Sequence, residues 1–102
     1  MNVYQRGLKK LEQLEKMTVV TQNKALGKKL LADLIEQLGF RAAAQAIRDG
    51  EKPKENAIYA IRIWERGAKL VDEHGNDITP PERYEFYRRY AAALRRIVDE
   101  VL

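Results

Sequence analysis

Side chains able to do chemistry are sparse in this chain and gather in three places. The single histidine, His74, stands among Asp72, Glu73 and Asp77. A run of basic, amide and phenolic groups, Lys52, Lys54, Asn56, Tyr59, Arg62 and Arg66, fills the middle third and is preceded by Arg41. Two arginine pairs, Arg88 with Arg89 and Arg95 with Arg96, recur seven residues apart near the C-terminal end.

The acidic group around His74 has the elements of a cation site but not the arrangement. A calcium loop needs oxygens at fixed intervals and a glycine for its sharp turn, and Gly75 is misplaced for that loop. An imidazole near the negative end of a helix explains His74 without a ligand. No metal and no cofactor is expected. With one His, no Cys and no nucleophile–base pair, no general acid or base can be nominated. The helical chorismate mutases, enzymes of this size, need several cations inside the bundle, whereas the charges here fall on predicted outer faces. Neither an enzymatic activity nor a small-molecule substrate is expected.

The middle run suits nucleic acid. On the exposed side of a helix, Asn can bond adenine and Arg can bond guanine through two contacts in the major groove. Lys54, Asn56, Tyr59 and Arg62 are the candidate base readers, with Arg41, Lys52 and Arg66 on phosphates. Glu55 and Glu65 temper the charge of that face. The alternative is a plain helical hairpin in which Trp64 fills the core with its indole N–H at the rim. The C-terminal arginines, near Tyr84, Tyr87 and Tyr90, offer a second phosphate surface. Glu85, Asp99 and Glu100 share their helix, however, and ion pairs with residues four away are expected instead.

Composition bounds the class. A chain of 102 residues is one domain, 1–102. Its 45% apolar and 33% charged content marks a globular chain rather than a disordered one. Without cysteine there is no disulfide framework, thiolate zinc site or thiol nucleophile, which fits a reducing compartment. The first ten residues lack the apolar run of a signal peptide, and no window reaches the ~18 apolar residues of a membrane span. A cytoplasmic protein with no membrane partner is expected. Of the net charge of +4, most lies in residues 1–38, while residues 76–102 balance arginines against acids. Such a basic third either attracts phosphate or solvates a helix.

Apolar spacing predicts an all-α fold, a compact bundle of four or five helices. Leu8, Leu11 and Leu14, with Val3 or Tyr4 before and Met17 after, mark an amphipathic first helix. Thr18, Val19, Val20 and Thr21 either break it, with Thr21 as N-cap, or are carried through in one long helix. A second helix over 25–38 shows Leu26, Leu30, Leu31, Leu34, Ile35 and Leu38 on one face and ends at Gly39. A short alanine-rich helix over 40–49 stops at Gly50, and Pro53 suits the start of the next. That helix carries Ala57, Ile61, Trp64, Ala68 and Val71 at alternating steps, predicting a run to His74. The rival is a hairpin with Leu70, Val71 and Ile78 around Gly75 and Asn76. Thr79, Pro80 and Glu82 form a capping box with Ile78 as staple. The last helix has a seam of Tyr84, Tyr87, Ala91, Leu94, Val98 and Val101, widened by Phe86, Tyr90 and Ile97.

Ala44, Ile47, Gly50, Ile61, Trp64, Arg66 and Gly67 together resemble the helix-turn-helix of Cro-like and YdaS-like phage DNA-binding domains, over residues 38–67 alone. The chain departs from that family in setting Ile47 and Ile61 fourteen residues apart, about twice the family's interval. Residues 51–56 would lengthen the turn and add a helical turn to the second helix. The resemblance implies double-stranded DNA as partner and a small DNA-binding or phage-type accessory role. A different class is a non-enzymatic helical interaction or assembly module, natural or engineered. The wide terminal stripes suggest self-association as a symmetric homodimer.

Overall fold

A computed structural model describes residues 3–16 and 24–102. Among them lie five helices and no strand: α1 (Val3–Lys16), α2 (Lys24–Gln37), α3 (Arg41–Asp49), α4 (Pro53–Arg66) and α5 (Pro81–Val101). This is the all-α bundle that the apolar spacing predicts. Met17, the β-branched run at 18–21 and the side chains of Val3 and Tyr4 lie outside the described residues.

The last helix is the spine, lying against α1, α2 and α4, while α3 bridges α2 and α4. Tyr90, Ala91, Leu94, Ile97, Val98 and Val101 are buried along it at three- and four-residue steps, the period that keeps one helical face inward. Leu11 and Leu14 of α1 and Leu31, Leu34 and Ile35 of α2 close over that face. Between α3 and α4 the buried residues are mostly small, Ala43, Ala44, Ala57 and Ala60, with Ile47 and Ile61 filling the gaps. Small side chains let the two backbones approach closely.

Two consecutive helix ends share one device. Gly39 (φ 102) and Gly50 (φ 74) are left-handed. Beyond α2, the Gly39 and Phe40 amides donate to Glu36 and Ile35 carbonyls; beyond α3, Gly50 and Glu51 donate to Ile47 and Ala46. This paired closure satisfies carbonyls that the helix leaves orphaned and turns the chain sharply. Charged groups secure the carbonyl end of α1. Arg96 donates to the Glu15 and Leu14 carbonyls at 3.1 and 2.8 Å. Arg89 grips the Glu15 carboxylate at 2.6 and 3.2 Å. The Arg89 hydrogen bond in turn lowers the Glu15 pKa.

The structure corrects several sequence expectations. The helix predicted to reach His74 ends at Arg66, and the rival hairpin forms instead. Val71 and Asp77 make a single antiparallel bridge, and the Ile78 amide donates to Leu70 at 2.9 Å. The cause is Asp72, whose carboxylate accepts from the His74 and Asn76 amides at 2.9 Å each. A short acidic side chain thus competes with helical bonding, and Gly75 supplies the positive φ of 81 that completes the turn.

Thr79 is not the N-cap of α5. Its hydroxyl accepts from the Leu70 amide at 2.6 Å, so Pro80 takes the cap position and Pro81 opens the helix. Ile78, at 56% exposed, cannot act as a staple. Leu26 is 62% exposed; Gly27, one turn before Leu31, holds the inward position. The C-terminal arginines pair mainly between helices, Arg89 with Glu15 and Arg95 with Glu65, and only Arg96 approaches an acid four residues on.

Candidate nucleic-acid interface

Only three residues, 50–52, separate α3 from α4. Residues 51–56 therefore do not lengthen the turn: Pro53 already begins α4, and the extra length is helical. Proline suits that position because its ring fixes a helical φ and its missing N–H would have no partner there. Lys52 is left-handed (φ 43), and among the described residues it is alone in this outside glycine.

Asn56 stabilises this turn. Its side-chain amide donates to the Glu51 and Lys52 carbonyls, both at 3.0 Å. Both amide protons are thus committed, and the expected base reader is a turn-locking group. The signal for this role is local, an Asn in the first turn of a helix whose cap has no side-chain oxygen to offer.

The rest of α4 divides by the 3.6-residue period. Ala57, Ala60 and Ile61 are buried and Trp64 is half-buried, stacked on Tyr87 with ring centroids 4.3 Å apart. Opposite them Glu55, Tyr59, Arg62 and Arg66 form an exposed row, with Tyr59 60% exposed. Glu65 lies on the side facing α5, where Arg95 holds it at 2.8 Å. Lys54 is directed toward Asp99 at 3.9 Å with both side chains mostly in solvent, a pairing too exposed to immobilise it. Lys52 is exposed in the turn, whereas Arg41 is exposed at the far end of α3, ~13 Å along that helix from the turn. The fold thus aligns Tyr59, Arg62 and Arg66, sets Lys52 and Lys54 at the head of the row, and leaves Arg41 apart.

The arginines fall into two sets. Arg48, Arg83, Arg89, Arg95 and Arg96 all bond other parts of the chain. The side chains of Arg6, Arg41, Arg62, Arg66 and Arg88 bond no other described residue. The first set holds helices together, and the second faces solvent.

Two features near this row carry no sequence signal. Arg83, in the first turn of α5, donates from Nε to the Ala68 carbonyl and from Nη2 to that of Gly67. The hairpin that follows α4 is tied to α5 through Asp77, which accepts from the Thr79 amide at 2.9 Å and the Tyr84 hydroxyl at 2.8 Å. The Thr79 hydroxyl and amide and the Tyr84 hydroxyl lower the Asp77 pKa to about 2. The Asp72 pKa is lowered as well, chiefly by the Asn76 amide. These carboxylates serve the turn.

No protein-family model, curated protein or solved structure matches the chain. Among the described residues, no helix is long and apolar enough to cross a membrane.

Proposed function

We propose that the protein is a small duplex-DNA-binding module of helix-turn-helix type, acting as a phage-type regulator or accessory protein, with α4 laid in the major groove. The observation that carries this reading is the row Tyr59, Arg62 and Arg66, opposite the core-facing side of α4, with both arginines uncommitted. The three-residue turn before α4 and the Arg83 hydrogen bonds just beyond it anchor the helix at both ends, which supports its use in presenting side chains to base edges. Lys52 and Lys54 supply phosphate contacts beside it.

Fluorescence anisotropy with a labelled duplex at several salt concentrations tests this. Affinity should fall steeply as salt rises, and Arg66→Ala should reduce the salt slope by about one. Absence of salt-dependent binding at low ionic strength overturns the reading.

A second reading, self-association as an interaction module, draws on a different observation. Leu70, Val71, Ile78 and Tyr84 are exposed on the hairpin side, beside an open groove lined by Gly7, Pro80, Phe86 and Tyr87. Light scattering over a range of protein concentrations would reveal a dimer, and Val71→Glu would abolish it. A monomer at every concentration removes this reading.

A further inference from the structure

We infer that the duplex site read by α4 is built from G·C pairs, with Arg62 on a guanine and Glu55 on a cytosine about three base pairs away. This rests on the DNA-binding reading above and specifies its substrate.

The exposed row of α4 limits which base edges the helix can read. Adenine is read by a carboxamide that accepts from N6 and donates to N7. Asn56, the nearest carboxamide, has both amide protons on the Glu51 and Lys52 carbonyls. Turning it toward a base would open the turn that positions α4. The row itself holds Glu55, Tyr59, Arg62 and Arg66 and no amide. An arginine fork matches guanine O6 and N7, and a carboxylate accepts from cytosine N4.

Glu55 decides between backbone and base contact. A carboxylate is repelled by phosphates, so α4 can approach the duplex closely only if Glu55 meets the donor edge of a base. Glu65, which would otherwise oppose the arginines, is turned away and held by Arg95 at 2.8 Å. Seven residues separate Glu55 from Arg62, ~10.5 Å along the helix, which matches about three base-pair steps of 3.4 Å. Arg66, one further turn along, reaches the next guanine or the flanking phosphate.

The test compares three duplexes of equal length by anisotropy at one salt concentration. One is G·C-containing, one is all A·T, and one is the first with 7-deazaguanine, which keeps pairing but removes the N7 acceptor. The G·C duplex should bind about tenfold more tightly than either of the others. Arg62→Lys keeps the charge but lacks the rigid fork, so it should weaken this preference severalfold, the Glu55 contact to cytosine remaining, while leaving the salt slope intact. Circular dichroism of the variant should match the parent, since Arg62 is exposed. Equal affinity for the three duplexes, or a preference for A·T, with salt dependence retained, overturns the G·C assignment and leaves DNA binding standing. No salt-dependent binding to any duplex overturns both.

Discussion

Arg83 Nε donates to the carbonyl oxygen of Ala68 at 2.7 Å, so the first turn of α5 clasps the chain where it leaves α4. Nη2 reaches Gly67 at 3.1 Å, and the guanidinium carbon lies 4.9 Å from the centre of the Tyr87 ring. A cation at carbonyls that end a helix opposes the negative end of its dipole. It also supplies donors to groups that no longer have helical partners. This contact fixes the hairpin and α4 to the spine at one point.

Arg83→Ala should lower unfolding free energy by about 2 kcal/mol, the scale of charge-assisted hydrogen bonds lost from a half-buried site. Thermal unfolding would then fall by about 8 °C for a domain of this size. Arg83→Lys should recover less than half, because an ammonium cannot span two carbonyls and stack on Tyr87 together. A lysine variant as stable as the parent would show that charge alone suffices.

Asn56→Ala should cost about 1 kcal/mol in urea unfolding, the usual net worth of hydrogen bonds from a neutral group. Asn56→Asp should cost more, since it sets a carboxylate against the Glu51 and Lys52 carbonyls. The order of the two urea midpoints checks the turn-locking role. The opposite order would remove it.

Gly50→Ala tests the close of α3. No atom outside the local chain lies within 4 Å of the added methyl position, yet φ is +74. The penalty is therefore one of backbone strain, about 1 kcal/mol. Gly50→Asn should be milder, because asparagine tolerates the left-handed region. Equal loss in both variants would argue for a steric cause instead.

Acid should weaken the fold in a defined window. The Asp77 pKa falls from 3.8 to about 2 on folding. Its stabilising contribution is full above about pH 4 and is lost as pH falls toward 2, because the unfolded chain takes up the proton first. Glu15 and Asp72 are lowered also and act in the same sense. Asp77→Asn should flatten the dependence between pH 4 and 2. Trp64, the single tryptophan, reports unfolding by fluorescence, and an unchanged pH slope in that variant would count against the linkage.

Much of the architecture was legible because helical burial leaves a 3.6-residue imprint. Leu11, Leu31, Ile35, Ile61, Leu94 and Val98 stand on the predicted stripes and are buried. The hairpin was ambiguous because Ala68 and Val71 continue helical spacing, although Val71 is 54% exposed. What decides it is the affinity of the Asp72 carboxylate for the His74 and Asn76 amides, a competition that hydrophobic spacing does not encode. For the candidate interface, residue type pointed to Tyr59, Arg62 and Arg66, and the fold aligns them. It could not show that Asn56 is spent on backbone carbonyls. Arg83 left no trace, because its partners are main-chain oxygens fifteen and sixteen residues earlier.

The joining of α1 to α5 has a consequence for how the molecule is made. Arg89 and Arg96 meet Glu15 and Leu14 across 74 to 82 residues of chain, whereas α2, α3 and α4 are sequential neighbours in contact. During translation α2, α3 and α4 can meet one another before α5 emerges, but the opening segment must wait, its leucines uncovered, until the final rod is made. Chaperone capture in that interval would fall on Leu11 and Leu14. Early termination before Arg89 would leave a product that cannot bury them.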